Sequence, residues 1–282
     1  MSLFFSSLNS GSNGNCYYVG NSTEAVLVDA GLSCRETEKR MKRAGLEIEK
    51  VKAIFVSHEH GDHITGIPAL SKKYQLPVYI TEATLKGSKI PVEEHLIQSF
   101  EADKPVTIGE LAITPFIKSH DAADPHSFLI AGNGVKVGVF TDIGYSCKRL
   151  IHYFSQCQAA FLESNYCEEM LMTGNYPYHL KKRISGEDGH LSNTQALELF
   201  IKYRSPSLSH LILAHLSKNN NSHRLVERLF NEKAGNTKIT VASRYEETAV
   251  FSITASGSAI KHLTKDLTSK KKVSNQNQLS LF

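Results

Sequence analysis

Residues 55–63 read Phe55-Val-Ser-His58-Glu-His60-Gly-Asp62-His63. Three histidines and one aspartate fall within six residues, directly after the apolar run 51–56. A short apolar run of this kind reads as a buried strand, which puts the cluster on the loop leaving its C-terminal end. Neutral imidazoles and carboxylates are the ligands that borderline divalent metals prefer. One ion cannot easily use all four groups. His58 and His60 alternate along extended chain and share a face, while Asp62 and His63 lie beyond the turn at Gly61. The spacing therefore predicts two adjacent ions, one for each half of the motif. A solvated polar loop would not need the whole H-x-H-x-D-H pattern, which is far more specific than a pair of histidines.

Two adjacent ions need more than four ligands, and further ones are expected where other strands end. His120 follows the strand-like run 111–118, Asp142 follows Val-Gly-Val-Phe-Thr, and His215 follows Leu-Ile-Leu-Ala. The expected assignment is His58, His60 and His120 on one ion and Asp62, His63 and His215 on the other. Asp142 is shared, because a carboxylate can bridge. The donor set suits Zn²⁺ or Mn²⁺ and is compatible with Fe²⁺.

At 282 residues the chain can bury a large core. Hydrophobic residues at 41% and charged residues at 21% are ordinary for a soluble globular protein. No apolar stretch reaches spanning length, and the first residues lack the basic and apolar regions of a signal peptide. Cys16, Cys34, Cys147, Cys157 and Cys167 are odd in number and form no C-x-x-C, which points to reduced thiols and a cytoplasmic setting without a membrane partner. The net charge of +4 is slight, but Lys181-Lys182-Arg183 and Lys270-Lys271-Lys272 are compact basic clusters.

Strand-like runs are expected at 3–8, 16–19 and 25–28, followed by a helix capped by Ser33 and stopped by Gly45. A helix over 64–74 and a strand at 77–80 follow the metal cluster. Residues 96–142 alternate apolar and polar in several runs and read as β-rich, ending in a strand at 135–140. Helices are expected at 146–156, 178–184, 192–203 and 222–233, with strands at 159–162, 211–214, 238–242 and 249–253. Strands interspersed with helices in two halves predict an α/β fold of two sheets, covered by helices on their outer faces. Residues 1–254 form the expected catalytic domain. Ser, Thr, Lys, Asn and Gln dominate after residue 255, so 255–282 reads as a flexible polar tail.

This order of motifs resembles the metallo-β-lactamase fold, which implies an αββα sandwich of two mixed sheets. By the same resemblance Asp29, in Leu-Val-Asp-Ala-Gly, supports the metal loop from behind. Within that superfamily, the segments Ser10-Gly-Ser-Asn-Gly-Asn-Cys16, His120-Asp-Ala-Ala-Asp-Pro125, Leu162-Glu-Ser-Asn-Tyr166, Gly189-His-Leu-Ser-Asn193 and Ala214-His-Leu-Ser-Lys-Asn-Asn220 are similar to the YycJ/WalJ (VicX) group. That bacterial group is related to ribonuclease Z and is regarded as 5′→3′ exonucleases on double-stranded DNA. His126-Ser127 stands where the group usually has an apolar residue and Gly, and Cys167 where Asp is common. The resemblance implies that His190 is a proton donor rather than a ligand, that Glu163 orients it, and that Asp62 serves the chemistry as well as the metal.

Such a centre suits a phosphodiester. Two divalent ions attract the anion and make hydroxide available near neutral pH, and the departing sugar oxygen needs the proton that His190 supplies. Lys181, Lys182 and Arg183, close to His190 in sequence, are expected to meet backbone phosphates. Ser192 and Asn193 at the next helix start, and Lys218 in Ser217-Lys-Asn-Asn, complete the expected nucleic-acid contacts. No major-groove reading element is evident, so DNA binding is expected to be sequence-independent.

The chain closes with Gln278-Leu279-Ser280-Leu281-Phe282. This resembles the pentapeptide by which bacterial repair and replication proteins dock on the sliding clamp. It implies that Leu281 and Phe282 fill an apolar pocket while the tail acts as a tether. The expected function is a 5′→3′ double-stranded DNA exonuclease in replication-linked repair such as mismatch excision. An RNA-processing endonuclease or small-molecule phosphodiesterase is the alternative within hydrolases. A non-enzymatic clamp accessory protein is the alternative outside them.

Overall fold

The computed structural model describes residues 2–255. The pentapeptide 278–282, and all of the expected tail but Ala255, lie outside the described residues.

The first sheet contains β1 (Ser2–Asn9), β2 (Cys16–Gly20), β3 (Ala25–Val28), β4 (Val51–Phe55), β5 (Val78–Tyr79), β6 (Ile97–Gln98) and β14 (Phe251–Thr254), in the order β14-β1-β2-β3-β4-β5-β6. The second contains β7 (Val106–Ile108), β8 (Leu111–Ile117), β9 (His126–Gly132), β10 (Val135–Phe140), β11 (Ala159–Glu163), β12 (His210–Ala214) and β13 (Lys238–Val241), in the order β13-β12-β11-β10-β9-β8-β7. Each sheet has an antiparallel half and a parallel half. The parallel pairs are β3–β4–β5–β6 in one and β10–β11–β12–β13 in the other.

Period-two alternation sorts the side chains into three apolar layers. Val26, Val28, Ala53 and Phe55 of the first sheet meet Val137, Val139, Phe161 and Ile212 of the second between the sheets. The alternate residues Ala25, Leu27, Ile54 and Val56 face outward onto α1 (Cys34–Ala44) and, beyond the short α2 (Gly61–Ile64), α3 (Ile67–Tyr74). Phe140, Ala160, Leu162, Leu211 and Leu213 face outward onto α5 (Lys148–Phe154), α8 (Asn193–Tyr203) and α9 (His223–Asn231). Two mixed sheets with helices outside them are the αββα sandwich that the sequence implies.

Local chemistry sets the helix limits. Ser33 accepts from Glu36 N at the start of α1, and Gly45, at φ +71, ends it. The helix expected over 64–74 is broken into α2 and α3. Gly66 lies between them because a Cβ there would sit 1.8 Å from the Leu32 carbonyl oxygen, so the chain crosses too closely for any side chain. Three short helices, α4 (Glu82–Ser88), α6 (Glu168–Thr173) and α7 (Tyr178–Ile184), complete the set, of which only α7 is expected from sequence. No helix among the described residues is long and apolar enough to cross a membrane, and the five cysteines are free. The departures His126 and Ser127 are buried, with the His126 ring edge-on to Phe100 at 5.1 Å.

Candidate metal centre

The functional side chains leave the C-terminal ends of strands along one edge of the sandwich. Asp29 follows β3, and His58, His60, Asp62 and His63 follow β4. His120 follows β8, Asp142 follows β10, Glu163 ends β11 and His215 follows β12. Three of these, Asp29, Asp142 and His215, take left-handed backbone conformations at φ +61, +56 and +56. Outside glycine such conformations cluster at functional sites, where surrounding bonds hold the strain.

The first sheet prepares its imidazoles from behind. Asp29 accepts from Ser57 N and Ser57 Oγ, both at 2.8 Å, and from His63 Nδ1 at 2.7 Å. With its own proton given to Asp29, Ser57 Oγ accepts from His58 Nδ1 at 2.9 Å. The second sheet does the same. His120 Nδ1 donates to the Gly189 carbonyl at 3.1 Å, and His215 Nδ1 donates to Glu163 Oε1 at 3.0 Å. A protein acceptor on Nδ1 orients the ring and leaves Nε2 of all four as the atom available to a metal.

The seven expected ligands come together. His58, His60 and His120 form one cluster, Asp62, His63 and His215 another, and His58, His63 and Asp142 a third, each with donor atoms within 4.8 Å. Asp62 Oδ2 lies 3.5 Å from both His63 Nε2 and His215 Nε2. Asp142 Oδ2 lies 3.3 Å from His63 Nε2, and Oδ1 lies 3.9 Å from His120 Nε2. Three buried atoms here have no hydrogen-bond partner: His120 Nε2, Asp142 Oδ2 and His215 Nε2. Leaving a buried polar atom unsatisfied costs roughly 1–3 kcal/mol, and divalent cations held by these clusters would satisfy such atoms.

The charges are strongly coupled. Burial pushes His58 well below the ordinary imidazole range and His120 down to about 4. Burial works against His63 and His215 too, but Asp142, Asp62 and Asp29 raise His63 well above that range. Asp142, Asp62 and Glu163 raise His215 to about 10. Against burial, His63 and His215 hold Asp62 at about 2, and His190 and His215 hold Glu163 at about 2.

His190 sits at the rim of the clusters. Its side chain is 19% exposed and donates from Nδ1 to Glu163 Oε1 at 2.8 Å. Glu163 Oε2 accepts from Ile143 N and Leu191 N. The orienting role expected of Glu163 therefore has its hydrogen bond, and the same oxygen also takes His215.

The basic residues are placed less uniformly. Lys182 and Lys218 are exposed. Lys181 Nζ donates to the Met172 carbonyl at 2.6 Å. Arg183 pairs with Asp121 at 2.5 Å, and Asp121 in turn lies 3.4 Å from His120 Nε2, so α7 is anchored beside the metal clusters. Ser192 and Asn193 do not present their side chains to a nucleic acid. Ser192 is buried in a capping box with Gln195, and Asn193 is buried against Ser164 and Asn221. The helix start that suggested anion binding uses these groups to cap and pack itself.

Four contributors were not legible as site residues. Asn15 Nδ2 donates to Asp62 Oδ2 at 3.0 Å, Ser10 Oγ accepts from His215 N at 2.7 Å, Ser57 links Asp29 to His58, and Lys118 is buried among the carboxylates. The first two belong to the segment 10–16, which family resemblance singled out without assigning either residue a role.

Residues 24–215 match the family described as the β-lactamase superfamily domain. The chain is 39% identical over 242 residues to the exodeoxyribonuclease YycJ of Bacillus anthracis, covering 83% of this chain and 91% of that one. It is 34% identical to the exodeoxyribonuclease WalJ of Streptococcus pneumoniae, covering 77% and 82%. The metallo-β-lactamase fold protein YhfI of Bacillus subtilis superposes with a TM-score of 0.67 at 18% identity, over 88% of this chain and 99% of that one.

Proposed function

Because the chain belongs to the β-lactamase superfamily, and within it to the family of YycJ and WalJ, we propose that this metal-dependent hydrolase is a 5′→3′ double-stranded DNA exonuclease of replication-linked repair, such as mismatch excision. The observation that carries the reading is His190. It is a partly exposed imidazole, held through Nδ1 by a buried carboxylate, at the edge of a buried donor set with orphaned atoms. A cation centre with a separate proton source beside it suits phosphodiester hydrolysis.

His58, His60 and His120 would hold one ion and Asp62, His63 and His215 the other, with Asp142 facing both. Bound Zn²⁺ or Mn²⁺ would supply Lewis acidity toward the phosphate and lower the pKa of a water. The protein's own part is orientation. Asp29, Ser57, Gly189 and Glu163 fix the rings, and Asn15 fixes Asp62. Glu163 keeps the His190 proton at Nδ1 engaged, so Nε2 is the atom that serves the leaving oxygen. Lys182, Arg183 and Lys218 supply positive charge for backbone phosphates, which carry no sequence information. Residues 1–254 are the catalytic unit in this reading. Gln278–Phe282, outside the described residues, provide a sliding-clamp tether on the strength of sequence alone.

The test is cleavage of 5′- and 3′-labelled single- and double-stranded DNA and RNA with Mn²⁺, Zn²⁺ and Fe²⁺. Mononucleotides or short products from 5′ ends of linear duplex DNA are expected. Release from 3′ ends, or a preference for RNA, overturns the assignment.

A further inference from the structure

Lys118 is the only buried lysine among the described residues. It lies just beyond β8, two residues before His120, and has no part in the chemistry above. Removing an ammonium from water is costly, so its surroundings must hold it for a reason. Asp142 acts on its charge most strongly among the anions, followed by Asp29, Glu163 and Asp62. Yet its hydrogen bond goes to a main-chain oxygen: Nζ donates to the Thr141 carbonyl at 2.6 Å.

That carbonyl belongs to the peptide group joining Thr141 to Asp142. Its plane is the reference from which φ of Asp142 is turned, and that φ is +56. The peptide group on the other side of Asp142 is also held, since Ile143 N donates to Glu163 Oε2 at 2.8 Å. A left-handed conformation outside glycine is strained and persists only where its neighbours enforce it. Here the two enforcing groups flank it on both sides.

We propose that Lys118 is a positioning residue which, together with Glu163, pins the two peptide groups around Asp142 and so holds its carboxylate where the cation clusters meet. This rests on Asp142 being a ligand, as set out under the proposed function. The sign of the effect separates this role from a purely electrostatic one. A cation that acted only through its charge would repel the ions, and its loss would tighten them. A tether's loss would weaken them.

The experiment is equilibrium dialysis of the full chain against Zn²⁺ with elemental analysis of bound metal, for wild type, Lys118→Met, Lys118→Arg, Asp142→Ala and the double variant Lys118→Met/Asp142→Ala. Circular dichroism checks the fold of each. Two ions in wild type are expected, with at least tenfold weaker binding of one of them in Lys118→Met. Lys118→Arg, which keeps a cationic donor, should restore it. In the Asp142→Ala background, Lys118→Met should cost nothing further, because the residue it acts through is gone. Unchanged or tighter binding in Lys118→Met, or additive losses in the double variant, refutes the role. Should Lys118→Met not fold, Lys118→Arg decides alone: two ions held as in wild type uphold the role, and loss of one refutes it. A wild type that takes up no cation refutes instead the reading of Asp142 as a ligand.

Discussion

Glu163 holds His190 through a 2.8 Å bond to Nδ1, and the accepting oxygen is the one that lies 3.0 Å from Nδ1 of His215. One carboxylate oxygen thus orients both the proposed proton donor and a proposed ligand. His190→Ala should keep its metal and lose rate, by about 10²–10⁴ if the ring is a general acid. Glu163→Gln should lose at least as much rate and also weaken metal binding, because His215 loses its anchor. Turnover and bound metal measured on the same samples separate the two; loss of metal in His190→Ala would make that ring a ligand.

Gly31 lies so close to the metal loop that a Cβ there would sit 1.7 Å from the Asp62 carbonyl oxygen. Gly31→Ala should therefore push Asp62 and His63 away from their partners while leaving the sheets intact. Activity and metal content should both fall at least tenfold with little change in far-UV circular dichroism. A variant with wild-type metal content would show that the loop gives way at no cost.

Metal removal should not unfold the protein, because the three apolar layers between and outside the sheets form without the site. Each ion present at 100 times its dissociation constant adds about 2.7 kcal/mol of stability. Chelation should lower Tm by several degrees while the folded baseline at room temperature stays unchanged. Asp62→Ala should abolish cleavage and resemble the chelated protein in Tm; cleavage at the wild-type rate would remove Asp62 from the centre.

His210 gives a pH effect away from the site. Burial lowers its pKa to about 4, with Lys238 acting in the same direction, and its ring packs against Phe5 and Phe251. A depressed folded-state pKa means that the unfolded chain takes up the proton first. The stability His210 contributes is present above about 6.5 and is lost as pH falls toward 4. His210→Phe should flatten this part of the stability curve in urea unfolding between pH 7 and 4. An unchanged difference between the two proteins across that window would contradict the burial argument.

Deleting 278–282 should leave cleavage of free DNA intact and abolish capture by a purified bacterial sliding clamp. Capture that survives the deletion would place the contact elsewhere.

Much of this was legible in the chain because both sheets announce their strand ends. The apolar runs before His58, Asp142 and His215 were visible as runs, and each delivers its polar residue to the same edge. Asp29 and Glu163 entered through resemblance rather than spacing, since a lone acid after a strand has no pattern of its own. Asn15, Ser57 and Lys118 were illegible for a physical reason. Each acts through hydrogen bonds that join residues distant in sequence or end on a main-chain atom, and neither leaves a periodicity. Ser192 and Asn193 show how a helix start carries two readings, a cap and an anion site. In the structure the Ser192 side chain caps the helix and Asn193 packs against Ser164 and Asn221.

Among the described residues, three of the four clusters take donors from loops of both sheets: His58 and His60 with His120, Asp62 and His63 with His215, and His58 and His63 with Asp142; the fourth, Asp142 with Glu163, His190 and His215, belongs to the second sheet. Ions held by the three shared clusters would therefore sit on the seam, not within either half. Sliding one sheet past the other by an ångström would change the donor spacing in all three at once, so the apolar layer between the sheets doubles as the gauge that sets it. Substitutions at Phe55 or Phe161, far from any substrate, would be felt in the reaction through that gauge.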